Sequence, residues 1–433
     1  MKRSRLIASA LVMSIVMIAA ATNPTMAQES LRSPPFKAHV QLPFEEEGVH
    51  AGAAYRISVP ANWNGTLLVY AHGMDLGQLS GPIRVAPGRE GGGSANVEAD
   101  LLASGYALAG SSYSESGWAV KSGVQDTLAL TNYFNGRVGN PEHVIIWGLS
   151  MGGVIALESI EKYPGVYDGA ITESANSAGA PMNFDRGIFY QLVYDVAFGW
   201  PEQWGQVGDV RDDLNYNTDV RPILMGQLYP PSAKSEFLRL AAGQPSPVFY
   251  QMGGWGLPMA LATSVAASME QVAKGACLQN LDAPAFTLSA ADLAYLQGMG
   301  LNAQPLIDEI NARRNIEASI PARTYLERYA TFTGDIKHPV ITLHSMFDPY
   351  AIVENDRVYR DTVNSAGKGD LLLQAYTSAP IGHGVFTKNQ YIQALKAMSQ
   401  WLETGTRPEH GSFFKASDNF LPVSWTPPPW PYR

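Results

Sequence analysis

Three residue types spread along this chain could together perform nucleophilic chemistry: Ser150, Asp348 and His383. Ser150 is the centre of Gly148-Leu149-Ser150-Met151-Gly152. A serine hydroxyl is a weak nucleophile near neutral pH. It needs a base within hydrogen-bond reach, and the base needs an acid that fixes its tautomer. A Gly-x-Ser-x-Gly carries this meaning where a strand enters it and a helix leaves it. Residues 143–147 form an apolar run that reads as a short buried strand, and residues 154–162 read as a helix. Glu158, Glu161 and Lys162 stand at i, i+3 and i+4 and supply that helix's polar face. The flanking glycines allow a turn sharp enough to push the serine hydroxyl out ahead of the helix.

The motif requires the order serine, acid, histidine, with each residue on a loop at the C-terminal end of a strand. Asp348 lies four residues past His344, where an apolar run beginning at Pro339 ends. His383 lies between Gly382 and Gly384, just past a second apolar run, residues 371–376. Two other acids lie close by. Asp335 precedes its strand and would sit at the wrong end of the sheet, and Asp356 falls inside a helix. The negative oxygen of a tetrahedral intermediate needs N–H donors already in place. Met151, at the helix N-terminus, is the expected first donor; Met74, after His72-Gly73, is the expected second, with Gly73 the alternative. Tyr113 and Trp118 follow the end of another strand and are candidates to contact substrate. Glu173 also ends a strand; it reads as a hinge or solvent-facing carboxylate, with recognition of a substrate amine as the alternative. No histidine pair has His-Glu-x-x-His spacing or a cysteine motif beside it, so neither a metal site nor a cofactor is expected.

The elements that must position these residues follow from periodicity. Strand-like runs at 55–59, 66–71, 106–110, 143–147 and 170–172 are interleaved with helical runs at 97–104, 124–135 and 154–162. That alternation specifies an α/β architecture, a parallel sheet with helices on its faces. The rhythm stops near residue 178 and resumes near 335. The stretch between has little strand character and many aromatics, among them Phe184, Phe189, Tyr190, Tyr194, Phe198, Trp200, Trp204, Tyr229, Phe249, Tyr250 and Trp255. It reads as a helical insertion whose aromatics either wall an apolar pocket or fill its own core. Residues 28–47 read as a loose lead-in, Gly91-Gly92-Gly93 as a loop rather than a phosphate cradle, and the proline-rich tail from Trp425 as extended on the surface.

His72-Gly73-Met74, Gly148-Leu149-Ser150-Met151-Gly152, Asp348 and Gly382-His383 together resemble the α/β-hydrolase superfamily, in the manner of serine esterases and lipases. The resemblance covers residues 50–178 and 336–405. It implies a mainly parallel sheet, typically of eight strands, a triad at the sheet's C-terminal edge, and a lid inserted between the sixth and seventh strands. On that basis a catalytic domain is expected over 28–178 and 336–433 and a mostly helical lid over 179–335. The chain lacks the triple-glycine form of the oxyanion loop, so it resembles members with a single Gly-x donor.

Composition bounds the rest. The 433 residues are 46% hydrophobic and 16% charged, with a net charge of −9, which suits a globular protein with a sizeable core. The acidic balance argues against nucleic-acid or anionic-membrane partners. Lys2, Arg3 and Arg5, an apolar run to Ala21 and Thr25-Met26-Ala27 read as a signal peptide over 1–27, giving a bacterial periplasmic or secreted enzyme without stable membrane association. The single cysteine, Cys277, reads as a buried small apolar residue. The expected activity is hydrolysis of small carboxylic esters bearing an apolar or aromatic group, through an acyl-enzyme. The alternatives are a serine peptidase acting on short or N-terminal peptides and a non-catalytic binding protein on the same scaffold. Composition does not specify the oligomeric state.

Overall fold

The computed structural model describes residues 38–75, 83–88, 95–243, 261, 265, 272–277 and 285–431. The expected signal peptide, the triple glycine at 91–93 and Phe249, Tyr250 and Trp255 lie outside the described residues.

The large sheet is built from β1 (Phe44–His50), β2 (Ala53–Val59), β3 (Thr66–Ala71), β4 (Ala107–Ser111), β5 (His143–Leu149), β6 (Gly169–Glu173), β9 (Val340–Ser345) and β10 (Leu372–Thr377). A separate two-stranded sheet pairs β7 (Gly205–Gln206) with β8 (Asp209–Val210). The eight strands are ordered β1-β2-β4-β3-β5-β6-β9-β10. β2 runs antiparallel to β1 and β4, and all the other neighbours are parallel. The parallel strands are apolar on both faces because both faces are covered. Leu68, Tyr70, Ile145, Trp147, Ile171, Ile341 and Leu343 pack on one side with Tyr391, Leu395, Met398 and Trp401 of the helix Lys388–Thr404. Leu67, Val69, Val144 and Ile146 face the other side, where they meet helices α2 (Val120–Arg137) and α3 (Met151–Lys162) through Leu130, Phe134, Leu157 and Ile160. Helix α1 (Glu98–Ala103) is stopped, as its sequence suggests, before Gly105.

Between β6 and β9, the sixth and seventh strands of the large sheet, the described residues are mostly helical, beginning with α4 (Ala180–Phe198). Its start is tied down by Asn355, whose Oδ1 accepts from Ala178 N at 2.9 Å and from Asn183 Nδ2 at 2.8 Å. Phe184, Phe189, Tyr190, Tyr194 and Trp204 are buried in one core with Met151, Val154 and Ile155 of α3. Most of the described aromatics there pack against each other, as with Tyr194, Trp200 and Trp204, while Tyr229 is 49% exposed.

Three expectations are corrected. Residues 44–47 are not a loose lead-in: they open β1, and Glu46 accepts from Tyr55 and Tyr133 hydroxyls at 2.9 and 2.8 Å and from Arg137 at 2.9 Å. Three consecutive glutamates look solvated, but strand alternation turns only the middle one toward those partners. The tail is not wholly superficial, since Trp430 is buried and Arg357 donates to the Pro427 carbonyl at 3.1 Å. Cys277 is half-buried, with its N–H 2.5 Å from Asp185 Oδ1.

Candidate active site

Ser150 occupies the turn between β5 and α3 with φ 56° and ψ −119°. A positive φ at a non-glycine residue costs on the order of 1–3 kcal/mol and persists only where the surroundings enforce it. Here the enforcement is steric. A Cβ on Gly148 would lie 2.0 Å from the Gly152 carbonyl oxygen, and one on Gly152 would lie 2.0 Å from that of Ala71. The same Gly152 position is 2.6 Å from the His72 carbonyl oxygen, so the turn sits directly on the loop that carries Gly73 and Met74. Ser150 is at the N-cap of α3, yet its side chain makes no capping hydrogen bond. Its backbone N–H instead donates to the Glu173 carbonyl at 2.9 Å. The usual local use of a helix-starting serine is therefore not made.

His383 and Asp348 are in direct contact: Nδ1 is 2.9 Å from Asp348 Oδ2 and 3.1 Å from Oδ1. Asp348 is 2% exposed and also accepts from the N–H groups of Tyr350, at 2.9 Å, and Ala351, at 3.1 Å. An ionised carboxylate only accepts, so Nδ1 carries the proton and Nε2 is left with its lone pair. The His383 loop reaches the Ser150 turn through its neighbour. Gly384 has φ +63°, its N–H donates to Ser174 Oγ at 3.0 Å, and a Cβ there would lie 2.5 Å from Leu149 Cδ1. Glycine is what allows the histidine loop to lie against the residue preceding Ser150.

Of the other acids, Asp335 is exposed beside Lys337, and Asp356 lies buried in the helix Glu354–Ser365. Met151 is the first residue of α3 and fully buried; Met74 is half-buried in the loop after β3. That loop is held from behind. His72 Nδ1 is 2.7 Å from the Gly73 carbonyl, its ring stacks on Tyr113 at 4.0 Å, and the Tyr113 hydroxyl donates to the His72 carbonyl at 3.0 Å. Tyr113 is 5% exposed and supports the loop; Trp118, 8% exposed, sets its ring edge-on to Phe184 at 5.0 Å. Glu173 is not solvent-facing: it is fully buried at the end of β6. A sheet-end acid reads as exposed from sequence, but the fold buries this one.

Sequence reasoning overlooked Tyr350 and Arg186. The Tyr350 ring lies 4.9 Å from that of His383, and the Tyr350 carbonyl accepts from Arg186 Nη1 at 2.9 Å. Tyr350 is two residues past Asp348, which is the one signal that could have drawn attention to it. Arg186 comes from α4, a contact with no trace in the local sequence.

Residues 50–182 match the Tannase-like family of unknown function (DUF6351). Over 433 residues the chain is 24% identical to an o-phthalyl amidase of Xanthobacter agilis, with 87% of this chain and 91% of that protein covered. Among solved structures, an esterase from Aspergillus oryzae aligns with TM-score 0.42 and 17% identity over 84% of this chain and 80% of its own. The dipeptidyl peptidase 4 of Porphyromonas gingivalis aligns with TM-score 0.41 and 10% identity over 83% of this chain; the match spans only 35% of that longer protein. The fold is carried by the sheet itself, with its order β1-β2-β4-β3-β5-β6-β9-β10, one antiparallel second strand and a serine turn after β5. The chain has the α/β-hydrolase type of fold.

Proposed function

We propose that the protein is an exported serine hydrolase that cleaves small carboxylic esters with an apolar or aromatic acyl group through an acyl-enzyme. The observation that carries this reading is Ser150 itself, a strained helix-start serine that does not cap its helix. The Asp348–His383 pair on the neighbouring loops supports it. In the proposed reaction His383 Nε2 takes the Ser150 proton as Oγ attacks the carbonyl carbon, and Asp348 stabilises the imidazolium that forms. The N–H groups of Met151 and Met74 hold the oxyanion, aided by the α3 dipole. His383 returns its proton to the leaving alcohol, then draws one from the water that attacks the acyl carbon and passes it to Ser150 Oγ as the acid leaves. Trp118 and Phe184 would wall the acyl pocket, Tyr113 would act through the His72 loop, and residues 179–335 would serve as the lid.

A second reading, amide cleavage by the same residues, is favoured by the o-phthalyl amidase relative. The deciding experiment compares p-nitrophenyl esters with the matching p-nitroanilides, including benzoyl and o-phthalyl acyl groups. Ester turnover with negligible anilide turnover supports the first reading; comparable efficiencies replace it with the second. Absence of fluorophosphonate labelling at Ser150 in the mature protein would leave the binding-protein alternative.

A further inference from the structure

A second histidine, fully buried, lies beside Asp348. His344, in β9, is 1% exposed, and its Nε2 lies 3.7 Å from Asp348 Oδ2. Its ring nitrogens have two close partners. Nε2 is 2.6 Å from the Ala351 carbonyl oxygen, and Nδ1 is 3.2 Å from Asp356 Oδ1. A backbone carbonyl can only accept. Asp356 is itself fully buried and is the acceptor of hydrogen bonds from Ser177 Oγ at 2.9 Å and Thr342 Oγ1 at 2.6 Å. A neutral imidazole has one N–H and would leave one of these contacts lone pair to lone pair. Two acceptors on two nitrogens require two protons, and hence an imidazolium.

We infer that His344 is a positioning residue that carries its positive charge throughout the neutral pH range. Resting on the serine-hydrolase reading above, it supplies a positive charge beside buried Asp348, the hydrogen-bond partner of His383. A buried carboxylate without a counter-charge is costly. With His344 charged, Asp348 remains an acceptor for His383 Nδ1 before and after Ser150 gives up its proton. The surrounding charges agree with this. Burial alone would strip the proton from His344, but Asp356, Asp348 and the Ala351 carbonyl outweigh it and push its pKa up to about 9. The other titratable or charged groups nearby are Glu354 on the helix of Asp356, Arg186 from α4, Tyr376 paired with His344 across β10, and His383.

The test has three measurements. ¹⁵N-imidazole NMR of the wild type at about pH 8 should show one of the eight histidines with both ring nitrogens protonated, where an ordinary imidazole is neutral. The acid limb of kcat/KM should move up by about one pH unit in His344→Gln, because removing a cation beside Asp348 raises the proton affinity of the base; KM should change little. A merely structural role would lower activity without moving the limb. Wild-type labelling by a fluorophosphonate reports on Ser150 separately. Labelling at Ser150 with an unmoved limb overturns the inference and leaves the serine reading standing, whereas absent labelling overturns the serine reading. If His344→Gln does not fold, the wild-type spectrum still decides: no doubly protonated imidazole overturns the inference.

Discussion

Ser150, Asp348 and His383 differ in how much of their role a single residue can show. Ser150 is set by its own backbone, since φ 56° aims the side chain away from the helix it begins. Ser150→Ala should lower kcat on the order of 10⁶-fold with an unchanged fold, as measured by single-turnover ester hydrolysis and circular dichroism. Asp348→Asn should cost on the order of 10⁴-fold, because an amide can present its NH₂ to Nδ1 and favour the wrong tautomer. A loss under tenfold in that variant would remove Asp348 from the mechanism. These three residues were legible because chain order, residue type and strand-end position all converge on them. His344 and Arg186 were not. Each looks ordinary in its own segment: His344 acquires its meaning from partners on the loop and helix after its strand, and Arg186 from a carbonyl 164 positions away.

At the scale of elements, the site depends on loops pressed together without side chains between them. Gly152→Ala would drive a Cβ to 2.0 Å from the Ala71 carbonyl oxygen, a backbone atom that cannot swing aside. We expect about 3 kcal/mol or more of destabilisation by urea denaturation, together with loss of Ser150 labelling in the fraction that remains folded. The helical segment offers a contrasting test. Trp204 is fully buried, packs on Trp200 at 5.3 Å and donates from Nε1 to the Asp219 carbonyl at 3.0 Å. Trp204→Ala should cost about 3–5 kcal/mol. Because its core is continuous with Met151, Val154 and Ile155 of α3, the loss should lower a single calorimetric transition. A separate low-temperature transition would show that the segment unfolds by itself. The parallel strands were readable as unbroken apolar runs. The edge strand β1 was not, because its acidic run is stabilised by Tyr55, Tyr133 and Arg137 on other elements.

For the whole molecule, buried ionisable groups set how stability depends on pH. Burial raises Glu158 to about 7 against the opposing pull of Lys162, and raises Asp185 to about 6 against Cys277 N–H and Arg323. His344 is raised to about 9, its burial outweighed by Asp356 and Asp348. In all three the folded pKa lies above the ordinary value, so the native state holds more protons than the unfolded chain. The carboxyl contributions fade as pH rises from the ordinary carboxylate range through about 6 and 7. The His344 contribution is intact below its ordinary 6.5 and fades as pH rises through about 9. Tm should therefore decline from about pH 5 toward about pH 9, with His344→Gln flattening the upper part of the decline. A Tm that is level or rising from about pH 6 to 9 would contradict this.

The sequence by itself determined the strand-turn-helix around Ser150, the order of acid and histidine, and the alternation that makes a parallel sheet. Each is a local or periodic property, fixed by side-chain size, backbone freedom and which face must be apolar. Only the tertiary structure decided that Gly384 brings His383 onto Leu149, that Tyr113 braces the His72 loop from behind, that Glu173 is buried, and that His344 lies between two aspartates. These depend on contacts that only the folded chain makes, where charge and hydrogen bonding are set by whichever groups the fold brings within a few ångströms.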